Sequence, residues 1–279
     1  MVVNKWYRIA MKWFGVLVVR ILQWAGYSVR KTPEQERADL ALHSLRLIRL
    51  LAESSKTSSL KLQEVVHILD KSRSQLGQDI IALSRVGTSD PGFFVEFGAT
   101  NGLDLSNTYL LEDSFGWKGI LCEPAIAWHK ELKSNRLAAI DTRCVYSVSG
   151  KQLNFTEGSN KELSGITAFA VADERISRDK KSVSYQVETV SLRDLLRTYD
   201  APAHIDFLSI DTEGSEFEIL KDFAFEEYSF GFICVEHNRT HIRGKLNQLL
   251  IKNGYYQIHS ELSQWDDWYV RGPSREQKV

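Results

Sequence analysis

Three cysteines in 279 residues, Cys122, Cys144 and Cys234, are too few, too scattered and odd in number to frame disulfides or a zinc site. Each lies in an apolar stretch and reads as a small buried hydrophobe in a reducing compartment. Charge of one sign is also lacking. With 35 basic and 36 acidic residues the net charge is -1, so no global field draws a polyanion, and nucleic acid is excluded as the principal partner. The N-terminal segment lacks an apolar run near the ~20 residues of a spanning helix; its longest stretch without a polar residue is Trp13 to Val19. No repeat or low-complexity tract is present, and Ser54 to Ser59 is the only obvious linker.

What the N-terminus does contain is amphipathic. On a helical wheel Lys5, Arg8, Lys12, Arg20, Gln23 and Arg30 share a sector of roughly 120°, and Trp6, Trp13, Phe14, Leu17, Val18, Ile21, Leu22 and Trp24 fill the rest. Such a helix suits an anionic membrane interface. Docking of its apolar face on protein, or a signal segment, are the other readings. Thr32-Pro33-Glu34-Gln35 is a helix start with a capping box. Leu40, Leu47, Ile48 and Leu51, then Leu62, Val65, Val66 and Leu69, keep helical spacing on either side of the linker. A helical hairpin is expected, marking a packing or self-association surface, with homo-oligomerisation as one use.

From Gly92 the texture changes. The apolar strand Phe93 to Phe97 breaks into Gly98-Ala99-Thr100-Asn101-Gly102, and a second strand, Gly119 to Cys122, ends at Glu123-Pro124. A glycine turn lets backbone approach a ligand, and a carboxylate at the next strand end accepts from ribose hydroxyls, a pairing that suits an adenosine moiety. The third glycine of G-x-G-x-x-G is missing, which disfavours a nicotinamide dinucleotide. Glu96 would repel a pyrophosphate but can meet an ammonium. S-adenosylmethionine has an ammonium and a sulfonium and needs no phosphate site.

These segments, with Ser74-Gln75-Leu76-Gly77-Gln78-Asp79, Leu105-Ser106-Asn107-Thr108, Gly116-Trp117-Lys118-Gly119, Val187 to Leu192 and the run Ile205 to Glu216 with Asp211-Thr212-Glu213-Gly214-Ser215-Glu216, closely resemble the FkbM family of S-adenosylmethionine-dependent methyltransferases, over roughly residues 74 to 270. The resemblance implies an α/β fold, a class I (Rossmann-like) seven-stranded methyltransferase sheet. It also implies transfer to oxygen, often a hydroxyl of a sugar or natural product, with the cofactor along Glu96, Phe97, Gly98, Ala99, Thr100, Asn101 and Gly102 and at Glu123. The expected divisions are an amphipathic helix over 1–31, a helical connector over 32–73, the methyltransferase domain over 74–272 and a tail over 273–279. Asp141 to Ser149 should supply a further strand and its exit, with Ser147 beside the adenine.

Ser191-Leu192-Arg193-Asp194 opens a helix with a capping pattern before the strand Ile205 to Ile210, which ends at Asp211. The neighbouring strand Phe232 to Val235 ends at Glu236-His237-Asn238. Methyl transfer to a hydroxyl needs a proton acceptor or a metal that acidifies the alcohol. His237 leads as base by its ordinary pKa of ~6.5, and Asp211, also counted among the cofactor-binding residues, orients the substrate or assists that proton transfer, with Glu236 completing the catalytic set. A divalent ion on Asp211, Glu213 and Glu236 is the alternative. Glu216 reads as a carboxylate serving its own helix N-terminus.

Gly150 to Val187 is an insertion whose loops should frame the acceptor, and its cluster Arg175, Arg178, Lys180 and Lys181 is either a solvated face or a seat for an acidic glycan or lipid phosphate. Tyr255 to Ile258 and Trp268 to Val270 form a closing antiparallel pair, with Gln264 to Asp267 in the turn. The expected function is O-methylation of a glycan or glycolipid hydroxyl by a cytoplasmic protein peripheral to the inner membrane face through residues 1–30. A catalytically inactive methyltransferase-fold interaction module is the alternative.

Overall fold

The computed structural model describes residues 44–50, 67–87, 90–170, 179, 181–238, 240 and 242–272. The expected N-terminal helix, most of the connector, the tail, and Arg175, Arg178 and Lys180 lie outside them. Contacts divide the chain into Met1–Leu45 and Arg46–Val279; only the second is described below. Among the described residues no helix is long and apolar enough to cross a membrane.

Strands apolar on both faces must be covered on both faces, and this requirement organises the larger sheet. Its strands are β1 (Phe93–Phe97), β2 (Lys118–Cys122), β3 (Ala139–Asp141), β8 (His204–Ile210), β9 (Ser229–Glu236), β10 (Tyr255–Ile258) and β11 (Asp266–Arg271), in the order β10-β11-β9-β8-β1-β2-β3. Only β11 runs against its neighbours. This is the seven-stranded class I methyltransferase sheet expected above. Alternation along each strand sorts side chains into two layers. Phe94, Leu121, Phe207 and Phe232 face α1 (Gln78–Val86), α2 (Tyr109–Phe115) and α3 (His129–Asn135) through Ile80, Ile81, Leu110, Leu111 and Leu132. Val95, Ile120, Leu208 and Ile233 face α5 (Leu192–Thr198), α6 (Glu216–Leu220) and α7 (Ile242–Lys252) through Leu195, Leu196, Ile219, Leu220, Leu246 and Leu250. The order reverses at β1, with β2 on one side and β8 on the other, and such a switch point opens a crevice at the carboxyl ends of the strands.

Three sequence expectations change. Asp141 to Ser149 splits, because β4 (Cys144–Tyr146) leaves the large sheet to pair with β7 (Val183–Ser191). The insertion is a second sheet, order β4-β7-β5-β6, with β5 (Gln152–Glu157), β6 (Ser164–Ile166) and a short α4 (Thr167–Ala170). Asp266 and Asp267 belong to β11 rather than to a turn, buried where Gln78 and Cys234 donate to Asp266 and Arg243 donates to Asp267. The second sheet is fixed over the exit of β2 by a small core of Ala125, Cys144, Phe155, Ile166 and Val187, with Trp128 and Tyr185 packed against it. Ser191 Oγ accepts from Asp194 N–H at 3.1 Å, so the expected cap of α5 is formed.

Candidate active site

A cavity of about 410 Å³ opens at the carboxyl ends of β1, β2, β8 and β9, with the second sheet on its far wall. The glycine turn leaves β1 with Gly98 at φ 71° and Thr100 at φ 46°. Gly98 and Ala99 N–H both donate to the Cys122 carbonyl, at 3.1 and 3.3 Å, which holds the turn against the end of β2. A Cβ on Gly98 would lie 2.0 Å from the Asp211 carbonyl oxygen. Only glycine permits this approach of the β1 exit to the β8 exit, and it places both halves of the cavity within reach of one ligand.

Glu123 is buried and accepts from Thr100 N–H at 2.8 Å and Ala125 N–H at 2.7 Å, one bond to each carboxylate oxygen. Burial pushes its carboxyl up to about 7, against the pull of those two donors. Glu96 is placed differently. It lines the cavity, yet its oxygens accept from Asn107 N–H, Ser106 Oγ and Thr108 Oγ1, and Arg136 Nη1 lies 3.7 Å away.

On the acceptor side Asp211, Glu213 and Glu236 each bring a carboxylate oxygen within 4.8 Å of the others. Asp211 is exposed to the cavity, but the protein around that cavity shields it from bulk water. Burial therefore raises its carboxyl to about 7, the charges of Asp266, Glu216 and Glu96 adding to the rise, while a hydrogen bond from Glu236 opposes it. Glu236 is pushed up much further by burial and by Asp211. Like charges at close range disfavour ionisation of both carboxyls, and the larger rise falls on Glu236. Asn238 Nδ2 donates to Glu213 Oε2 at 3.3 Å. Glu216 accepts from Thr212 N–H, Thr212 Oγ1 and Gly214 N–H at 2.9–3.0 Å, so it organises its own turn as expected.

The cavity thus brings together Glu96, Phe97, Gly98, Ala99, Thr100, Asn101, Glu123, Asp211 and Glu236. Three expected residues fall outside its lining. Gly102 backs onto α3, where a Cβ would meet Leu132 and Arg136 at 2.6 Å. Ser147 lies past the wall, which is made instead by Cys144 and Val145 as the chain turns into the second sheet. His237 is buried behind it, and its Nε2 donates to the Asp266 carbonyl at 3.0 Å. A carbonyl can only accept, so that nitrogen carries the hydrogen and is no base. Trp128 was not foreseen. It follows the Glu123-Pro124 turn, lines the cavity and carries Lys161 Nζ over its ring at 5.3 Å; an aromatic a few residues past an acidic strand end was the available sign. All three cysteines also line the cavity, each raised by burial and thus poorly nucleophilic.

The family model for the methyltransferase FkbM domain matches residues 96–268, more than half of the chain and all of the cavity lining except Gln75 and Gln78. The chain belongs to the FkbM methyltransferase family. Among solved structures this FkbM domain is similar to methyltransferase FkbM from Methylobacillus flagellatus KT, at 15% identity and a TM-score of 0.39, over 64% of this chain and 43% of that one. The chain thus spans less than half the length of that relative. It is also similar to the ribosomal protein L11 methylase from Lactobacillus delbrueckii subsp. bulgaricus, at 10% identity and a TM-score of 0.36, over 70% of this chain and 77% of that one. No curated protein matches it in sequence.

Proposed function

We propose that this FkbM chain is an S-adenosylmethionine-dependent methyltransferase acting on oxygen, with a glycan or glycolipid hydroxyl as acceptor. One observation carries the reading: a single cavity joins the glycine turn and Glu123 to the neighbouring carboxylates Asp211 and Glu236. Its volume suits a small-molecule site. Glu123 uses one acceptor position on each oxygen for the loop, and a carboxylate offers about four, so two remain for ribose hydroxyls. The wall holds Glu123, Asp211, Glu213, Glu236 and Asp266 against Lys161 alone among its described basic residues, which favours a cationic cofactor over a pyrophosphate. When bound, S-adenosylmethionine supplies an electrophilic methyl on sulfonium.

The chain's own part is to align an oxygen and take its proton. Glu236, protonated, fixes the Asp211 carboxylate by donating to it, and Asp211 receives the hydroxyl proton as the methyl is transferred. The second sheet packs on the acid turn, where a Cβ on Gly165 of β6 would lie 3.4 Å from Glu213 Cβ, which makes it the proposed acceptor surface. A divalent ion on Asp211, Glu213 and Glu236 would acidify the alcohol instead; turnover that survives exhaustive chelation keeps Asp211 as base. Incubation with methyl-labelled S-adenosylmethionine and fractionated membrane extracts should give a labelled glycan or glycolipid. Absence of both labelling and cofactor binding would favour a non-catalytic interaction module. Placement at a membrane rests on residues 1–30, and unchanged membrane sedimentation after their deletion would remove it.

A further inference from the structure

We infer that Glu96 and the buried Arg136 form one positioning unit for the cofactor loop, and that Glu96 is not the ligand of the cofactor's ammonium. The inference rests on the S-adenosylmethionine reading above. Glu96 stands where an acidic residue would be expected to take that ammonium, but its oxygens are already engaged. Oε1 accepts from Asn107 N–H at 2.8 Å, and Oε2 accepts from Thr108 Oγ1 at 2.5 Å and Ser106 Oγ at 3.0 Å. Its charge is met by Arg136, whose side chain is fully buried. Arg136 is fully buried and Glu96 nearly so, and an ammonium arriving at Glu96 would have to compete with a guanidinium 3.7 Å away and with donors that are covalently part of the loop.

Arg136 reaches this place from the end of α3. Nη1 donates to the Gly102 carbonyl and to Ser106 Oγ, both at 3.1 Å, Nη2 donates to Thr108 Oγ1 at 2.9 Å, and Nε pairs with Glu112. Its guanidinium lies over the rings of Phe94 and Tyr109 at 5.4 and 5.9 Å. Ser106 and Thr108 are therefore two relays of one kind: each hydroxyl accepts from Arg136 and donates to Glu96. The relay spans the start and end of the segment Gly102 to Thr108, whose Asp104, Leu105, Ser106 and Asn107 line the cavity. A planar, permanently charged fork can hold a carbonyl and two hydroxyls at once, which a lysine ammonium at the same place cannot match in geometry.

The test uses the full chain and two probes, S-adenosylhomocysteine and its analogue lacking the amino group, titrated calorimetrically. Thr108→Val, nearly isosteric, removes one relay; Glu96→Gln removes the charge; Arg136→Lys keeps charge but loses the fork. Each should weaken both probes by the same factor, about tenfold for loss of a charge-assisted hydrogen bond. Arg136→Lys should retain more affinity for both than Arg136→Met. Should Arg136→Met fail to fold, Thr108→Val decides alone, since wild-type affinity in that variant overturns the unit. Loss of affinity in Glu96→Gln for the amino-bearing probe only would make Glu96 the ammonium ligand and overturn the inference. Wild-type chain that binds neither probe overturns the cofactor reading itself, a distinct result.

Discussion

Glu123 and Asp211 are both raised to about 7 by burial, yet they govern different measurements. In the proposed complex a ribose hydroxyl would donate to the ionised Glu123, so binding would favour the carboxylate. Cofactor affinity should be full above pH 7 and fall as pH drops through that value, by up to tenfold per unit. Glu123→Gln should bind more weakly but with a flat pH profile, and Glu123→Ala should lose about 10–100-fold; calorimetry from pH 5.5 to 8 checks both, and unaltered affinity in the alanine variant removes the ribose role. As the proposed base, Asp211 would act only when ionised, so kcat should rise with pH through about 7 under saturating cofactor. Asp211→Asn should lower kcat by ~10²–10⁴-fold and disturb cofactor affinity far less. His237→Ala should cost stability instead of turnover, since its Nε2 bonds a carbonyl behind the cavity. A collapse of kcat in a folded His237→Ala protein would return the base to His237.

At the scale of elements, the glycine turn and the helix caps separate site from scaffold. Gly98→Ala sets a Cβ 2.0 Å from the Asp211 carbonyl at φ 71°; overpacking of this kind costs ~1–3 kcal/mol and here also pushes the β1 and β8 exits apart. The variant should lose thermal stability and cofactor affinity together. Ser191→Ala, which removes the cap of α5, should cost ~1 kcal/mol and leave affinity unchanged. The same contrast explains what the sequence makes legible. Strands β1, β2, β8 and β9 stand out because a strand buried on both faces is written as a near-continuous apolar run, and their ends at Glu123, Asp211 and Glu236 follow. The second sheet does not, since β5 and β7 have one exposed face and pair across a long intervening stretch. Asp266 and Asp267 look like turn residues because their partners, Gln78 and Arg243, come from two distant helices. Glu96 announces its charge but not its neutralisation, for Arg136 arrives from forty residues downstream at an unremarkable helix end.

For the whole molecule the decisive property is that one cavity wall is assembled from widely spaced segments of the chain, from Gln75 to Asp266, so a ligand that fills it couples them. Anything that binds only the folded chain stabilises it by RT ln(1 + [L]/Kd), ~2.7 kcal/mol at a hundredfold excess over Kd. In a unit the size of Arg46–Val279, each kcal/mol moves Tm by about 2–4 °C. S-adenosylhomocysteine at that excess should therefore raise Tm by roughly 5–10 °C. The cysteines offer a second reading of the same event. Cys122, Cys144 and Cys234 lie on β2, β4 and β9, three separate stretches of the wall, buried and with thiols raised by burial. Alkylation must wait for opening of the site, and the open form is what the ligand suppresses. Labelling by a small maleimide should slow at all three positions in step as ligand is added, with the midpoint at the calorimetric Kd. Protection confined to Cys122 and Cys144 would mean that the ligand occupies the β2 side and leaves the wall at Cys234 and Asp211 free to open, and the single cavity would then be two sites that work independently.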